Sequence, residues 1–278
     1  MCLILFAYQR HPNYRLVLAA NRDEFYARPT APLDFWQDHP DVLAGRDLEQ
    51  GGTWMGVTRS GRLAAITNFR EPSGVKSSAP SRGHLVADYL CGDETPQVYL
   101  QRIASIADQY NGFNLIVGDQ GALCYFSTRS REVVPLRPGL YGLSNHLMDT
   151  PWPKVTRGKQ KLGAYLQKTA TIAAEPLFDL LQNQEIADDD LLPETGIGLD
   201  WERVLSPIFI SSPGYGTRSS SVLLIDHADG LQLTERTWNP APGMPRDLFT
   251  RHFQIAIHPL NPCESIPQAC AAPAVRPS

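Results

Sequence analysis

The second residue of the chain is a cysteine, a position with chemistry of its own. Once Met1 is removed, Cys2 carries a thiol and a free α-amine on one residue. Their ordinary pKa values are about 8.5 and about 7.7–8.0, so near neutral pH the amine can relay the thiol proton and leave a nucleophilic sulfur. A small buried residue opening a strand is the structural alternative, and free cysteine suits that as well. Catalysis needs supporting residues, and the sequence holds candidates. Asn21 and Asp23 stand about a hairpin away from Cys2, where a carboxylate can hold the α-ammonium or orient the nucleophile. Asn68 follows Leu63-Ala64-Ala65-Ile66, and Asn145 follows Leu140-Tyr141-Gly142-Leu143-Ser144. An asparagine ending a buried strand offers an amide N–H to a developing oxyanion. Arg218, inside Gly214-Tyr215-Gly216-Thr217-Arg218-Ser219, suits either lowering a thiol pKa or binding an anionic substrate. Taken singly, Asn and Asp end strands through Asx turns, and an arginine after glycines is an ordinary turn residue.

Other chemistries find little support. The cysteines at 2, 91, 124, 263 and 270 are an odd, scattered set with no C-x-x-C and no zinc spacing. They point to a reducing, cytoplasmic setting and no structural metal. There is no H-E-x-x-H, no phosphate-binding G-x-x-x-x-G-K-[ST] and no G-x-S-x-G elbow. Gly214-Tyr215-Gly216 lacks the third glycine of a dinucleotide loop and reads as a turn. Trp54 and Trp152 suit a pocket wall or the core, and His146 suits a substrate contact or a satisfied turn. The 278 residues hold 25 Lys+Arg against 29 Asp+Glu, a net charge of −4, which disfavours a nucleic-acid partner. Lys154, Arg157, Lys159 and Lys161 form the longest basic cluster and read as a solvated helix face. No apolar run approaches the ~18 residues of a membrane span, and the first eight residues lack the positive region of a secretory signal.

These residues must be positioned by strands broken by turns. Residues 2–8 and 15–20 read as a hairpin around His11-Pro12-Asn13, with Asn21-Arg22-Asp23-Glu24 interrupting the second strand. Further strands are expected near 53–58, 62–68, 113–118, 122–127, 139–144, 207–211, 219–226 and 231–238. Helices are expected near 82–91, 96–107, 153–168 and 176–182, with Val98, Ile103, Ile106 and Ala107 sharing one face. Residues 185–200 read as an acidic exposed loop. Two strand blocks flank a helical centre, and strands outnumber crossover helices. The fold class is therefore α+β, with two mainly antiparallel sheets stacked face to face and helices outside. One domain is expected over 1–258, and residues 259–278, with five prolines, read as a mobile tail.

Asn21-Arg22-Asp23-Glu24 is the signature of the NRDE family, also called the transport-and-Golgi-organisation-2 family. The resemblance runs through nearly the whole chain before the tail: Met1-Cys2, Gly51-Gly52-Thr53-Trp54-Met55-Gly56, Ala65-Ile66-Thr67-Asn68-Phe69-Arg70, Gly83-His84-Leu85-Val86, Gly142-Leu143-Ser144-Asn145-His146, Asp149-Thr150-Pro151-Trp152-Pro153-Lys154 and Tyr215-Gly216-Thr217-Arg218-Ser219-Ser220. That family resembles the N-terminal-nucleophile hydrolases, which implies a four-layer αββα sandwich. The resemblance to cysteine amidases of that group implies Cys2 as nucleophile and Asp23 as its orienting carboxylate. It further implies oxyanion or substrate contacts at Asn68 and Asn145, a cationic partner at Arg218, and substrate contacts at Asn21, Arg22, Trp54 and His146. The amidases carry an arginine three residues before the aspartate. Here Ala20 occupies that position, with Arg22 beside Asp23. Two functions follow from the resemblance. One is a cofactor-free hydrolase or acyl-transfer enzyme acting on an amide, thioester or ester. The other is a carrier holding haem or an acyl-CoA in the same cleft. No C-x-x-C-H is present for covalent haem, and Pro262-Cys263 reverses the Cys-Pro haem-regulatory order.

Overall fold

The computed structural model describes residues 2–238 and 247–258. The chain opens with β1 (Cys2–Tyr8) and β2 (Tyr14–Phe25). It continues through β3 (Thr30–Phe35), β4 (Val42–Asp47), β5 (Met55–Thr58) and β6 (Leu63–Asn68). Two helices, α1 (Gly83–Cys91) and α2 (Pro96–Ile106), precede β7 (Phe113–Gly118), β8 (Leu123–Ser127), β9 (Val133–Pro135) and β10 (Gly139–Leu143). Next come α3 (Pro153–Leu166), α4 (Ala174–Leu181) and α5 (Leu199–Leu205), then β11 (Ser211–Ser212), β12 (Tyr215–Asp226), β13 (Gly230–Trp238) and β14 (Asp247–Ala256).

Every strand pairing is antiparallel. One sheet runs β10-β1-β2-β12-β13-β14, with β11 on β12; the other is the meander β3 through β9. Ile4, Phe6, Leu18 and Ala20 from the first sheet pack against Leu43, Val57, Ala65 and Ile116 from the second, forming the core between sheets. On the outer face of the first sheet, Leu3, Leu5, Val17 and Ala19 meet Val155 and Leu162 of α3 and Leu177 and Leu181 of α4. On the outer face of the second, Ala64, Leu115 and Phe126 meet Leu85 and Tyr89 of α1 and Leu100 and Ile103 of α2. The order is helix layer, sheet, sheet, helix layer: the expected αββα sandwich. Because both faces of β1 are covered, its seven residues are all buried. Its strand reads as a continuous apolar run rather than an alternation.

Several expectations are corrected. Asn21–Glu24 do not interrupt β2, which runs on to Phe25 and pairs with β12 as far as Tyr215. β3, β4, β9 and β14 were not expected, whereas 207–210 are not strand. Ile103, Ile106 and Ala107 of the expected α2 face pack into the core together with Tyr99 and Leu100, while Val98 is exposed. The acidic segment ends in α5, whose Glu202 is buried. The expected tail at 259–278 lies outside the described residues. No helix among the described residues is long and apolar enough to cross a membrane.

Candidate active site

Side chains of a strand alternate between its faces, and this decides which polar residues meet Cys2. Ile4 and Phe6 point between the sheets, and Cys2 shares their phase. Its register partner on β2 is Arg22. Burial pushes the Cys2 thiol up and the Asp23 charge adds to that, while Arg22 pulls it down. The N-terminal ammonium pulls it down more than Arg22 does, so Arg22 is the second of two positive charges acting on the thiol. Its Nη2 lies 3.9 Å from Glu24 Oε2, and its buried Nη1 has no hydrogen-bond partner among the described residues.

Asn21 and Asp23 have the opposite phase. The Asn21 amide donates to the carbonyls of Leu181 and Ile208, both at 2.9 Å, and its Oδ1 accepts from Ser220 Oγ at 2.5 Å. Asn21 therefore ties the sheet to the α4 layer and does not line the cavity described below, unlike the expected substrate contact. Asp23 Oδ1 accepts from Thr217 Oγ1 at 2.7 Å. Its carboxyl is pushed up by burial, against which the Lys154 charge pulls it down.

A cavity of about 510 Å³ is bordered by Cys2, Arg22, Asp23, Trp54, Asn68 and Arg218, among other residues. Segments far apart in the chain converge because β1 begins, β2 and β6 end, and β12 begins at the same rim of the sandwich. Trp54 serves both alternatives, lining the cavity and packing against the cores on either side of its sheet. Asn145 stands behind the wall: its Nδ2 donates to the Asn68 carbonyl at 3.0 Å. Ser144 Oγ, one residue earlier, donates to the Cys2 carbonyl at 3.1 Å. His146 does not border the cavity. Its Nδ1 lies 2.8 Å from Thr150 Oγ1 and its ring packs against Phe69 and Trp152, so it is a satisfied turn residue.

The cavity holds more arginine than expected. Arg28 is committed to Asp47 at 2.6 Å and Arg46 to Asp38 at 2.5 Å. Arg218 Nη1 donates to the carbonyls of Phe25, Tyr26 and Arg28, clamping the β2–β3 connection. Arg82, just before α1, donates Nη1 to the Gly112 carbonyl at 2.9 Å and feels the charges of Glu24 and Cys2. Neither Arg82 nor Arg218 makes an ion pair with a described carboxylate. Arg82 was missed because a lone arginine between Ser81 and Gly83 carries no motif.

Lys154 was misread as well. The basic cluster at the start of α3 is not a solvated face throughout: Lys154 is 2% exposed. Nearby, Arg70 and Glu202 form a buried ion pair at 2.5 Å, and Arg70 stacks over Trp152. Among the described residues no cluster of three or more His, Cys, Asp or Glu is placed to hold a metal ion.

The family model described as Transport and Golgi organisation 2 matches residues 1–240. The chain is 40% identical to the Transport and Golgi organization protein 2 homolog of Bos taurus over 263 residues, covering 85% of this chain and 93% of that protein. It is 37% identical to the Homo sapiens homolog over 257 residues, with the same coverage of each. It is 32% identical to the Drosophila melanogaster protein over 267 residues, covering 85% and 92%. Among solved structures, it is similar to a mutant conjugated bile acid hydrolase from Clostridium perfringens (TM-score 0.48, 9% identity, 92% of each chain). It is also similar to a Caenorhabditis elegans N-acylethanolamine-hydrolyzing acid amidase ortholog (TM-score 0.46, 10% identity, covering 80% of this chain and 92% of that one). On the family match over 240 residues and on relatives at 32–40% identity along most of their length, the chain belongs to the Transport and Golgi organisation 2 family.

Proposed function

We propose that the chain is a cysteine acyl-transfer enzyme, a hydrolase of an amide, thioester or ester bond, with Cys2 as nucleophile after loss of Met1. The observation that carries this reading is the meeting of Cys2, Arg22, Asp23, Asn68 and Arg218 on one cavity. The α-amine takes the thiol proton as sulfur attacks the carbonyl carbon, and Asn68 donates to the oxygen that gains charge. Asn145 orients Asn68 from behind. Collapse of the adduct returns the proton to the leaving amine, thiol or alcohol and leaves an acyl thioester on Cys2. Water, deprotonated by the same amine, then releases the acid. Arg82 and Arg218, neither held by a carboxylate, suit an anionic group on the substrate. No cofactor is needed.

The same arginines support a second reading, a carrier for haem or an acyl-CoA. Cys2 is the one cavity-lining residue of the Cys, His, Met or Tyr type among those described, so haem cargo would be held by its thiolate, with propionates on Arg82 and Arg218. The test begins with the intact mass of the native protein, which must lack Met1. Long-chain acyl-CoA, N-acyl amino acids and haemin are then offered to wild type, Cys2→Ala and Arg218→Ala. Hydrolysis that falls by ~10³-fold or more in Cys2→Ala supports the enzyme. Saturable binding without product, weakened by Arg218→Ala, supports the carrier. Turnover that survives Cys2→Ala rejects the proposed mechanism.

A further inference from the structure

Lys154 sits where three separate effects oppose it. It is buried, and its ammonium has no hydrogen-bond acceptor among the described residues. Such burial of a charge is costly. It lies in the first turn of α3, directly after Pro153, the end of a helix where the macrodipole disfavours a cation. An apolar residue would fill the same space between Trp152 and Val155 without these penalties. The compensating charge comes from the sheet beneath. Asp23 has the strand phase that faces the α3 and α4 layer, the same phase as Val17 and Ala19. It is 1% exposed. A carboxylate so placed takes up a proton unless a cation opposes it.

We propose that Lys154 is a positioning residue for Cys2: it holds Asp23 as a carboxylate, and Asp23 in that form anchors the α-amino group of the mature N-terminus beside the thiol and stabilises the ammonium formed when that group takes the thiol proton. The proposal rests on the reading of Cys2 as nucleophile. It also gives a role to the Pro153-Lys154 motif, which the acyl-transfer steps leave unused. The groups facing Lys154 are Asp23 of β2, Cys2 of β1, Arg70 after β6 and Glu202 of α5. Tyr215 of β12 and Arg22 act on Asp23 and Cys2. Arg70 is already paired with Glu202, leaving Asp23 as the counter-charge for Lys154. Burial brings Lys154 down to about 8, so its grip on Asp23 ends on the alkaline side of neutrality.

Nuclear magnetic resonance of the full-length mature protein, labelled with ¹³C in aspartate and lysine, tests this without any substrate. The chain has five lysines, which makes the Lys154 signal tractable. In the wild type, Asp23 Cγ is expected to be ionised at pH 7 and to shift again as Lys154 loses its proton. In Lys154→Met the Asp23 midpoint should rise by at least one pH unit, and Lys154→Arg should restore it. Coupling is reciprocal, so Asp23→Asn should lower the Lys154 midpoint further. An Asp23 midpoint unmoved in folded Lys154→Met overturns the proposal. Should neither variant fold, a wild-type Asp23 signal that is flat through the Lys154 titration overturns it as well. Turnover is measured alongside. If the carboxylate responds but no substrate is cleaved in a Cys2-dependent way, the nucleophile reading fails while the Lys154–Asp23 coupling stands.

Discussion

Cys2 and Arg22 are register partners across the β1–β2 ladder, with side chains on the same side of the sheet. Ala20 faces Ile4 one pair deeper in the core between the sheets. A guanidinium at 20 would enter that apolar layer, whereas Arg22 reaches the cavity rim. Replacing Arg22 by Gln removes one of the two cations that lower the thiol pKa, the other being the N-terminal ammonium. A close opposite charge moves a pKa by about one to three units. Alkylation of Cys2 at pH 7 by iodoacetamide, followed on the N-terminal peptide by mass spectrometry, should slow by about tenfold or more. An unchanged rate would assign the thiol's electrostatics to another group.

Asn145→Ala removes the amide that donates to the Asn68 carbonyl. Because the Asn68 carbonyl is only half-buried, losing this bond should cost about 1 kcal/mol, and the urea midpoint should fall accordingly. If Asn68 contacts the reacting oxygen, kcat should fall while KM holds. A variant with normal kcat would confine Asn145 to stability.

Glu202→Ala leaves the Arg70 guanidinium buried without its ion pair. Breaking a buried pair from one side costs about 3–5 kcal/mol, far more than an exposed pair such as Arg203–Asp200. Glu202 also accepts from the Thr195 backbone N–H, so residues 195–202 should become susceptible to proteolysis. Resistance equal to wild type would show that the segment is held by other contacts.

Glu235 of β13 lines the cavity and accepts from the Leu33 N–H at 2.8 Å, tying the two sheets together. Burial pushes its carboxyl up from the usual 4.5, and the hydrogen bonds and Arg22 offset this only in part. The folded state therefore binds this proton more tightly than the unfolded chain. The associated stability is complete below pH 4.5 and is lost as pH rises through the raised midpoint. Glu235→Gln keeps an acceptor for Leu33 and abolishes the titration. Its Tm relative to wild type should be lowest near pH 4 and rise toward pH 8. A difference that is flat across this range would contradict the assignment.

The strands carrying unbroken apolar runs, such as Phe113–Gly118, could be read from the sequence because burial on both faces leaves an apolar run. The polar end of β2 could not. Asn21 and Asp23 stay in a strand because each meets a partner from a distant segment: Leu181, Ile208 and Ser220 for Asn21, and Thr217 for Asp23. No local pattern contains those residues. The apolar 207–210 failed in the opposite sense, since its carbonyl at Ile208 is spent on Asn21 rather than on a ladder. Cys2, Asp23, Asn68 and Arg218 could be found because chemistry restricts their residue types. The separation of Arg22 from Asn21 depends on strand parity, which a strand buried on both sides does not display. Lys154 looked like part of a charged helix surface because the burial of its first turn depends on where β10 and β1 place α3.

The antiparallel pairing divides the sandwich into two ends with unequal freedom. The start of β1, the ends of β2 and β6 and the start of β12 gather the reactive groups at one end. The connections at 9–13, 59–62, 119–122 and 227–229 lie at the other. There the turns lean on one another, through Arg15 to the Gln120 carbonyl and Gln120 to the Ser60 carbonyl. Gln9 and Arg10 lie exposed on that end, a strand's length from the sulfur. The chain can therefore be lengthened, labelled or tethered to a surface there while the thiol end faces free solution.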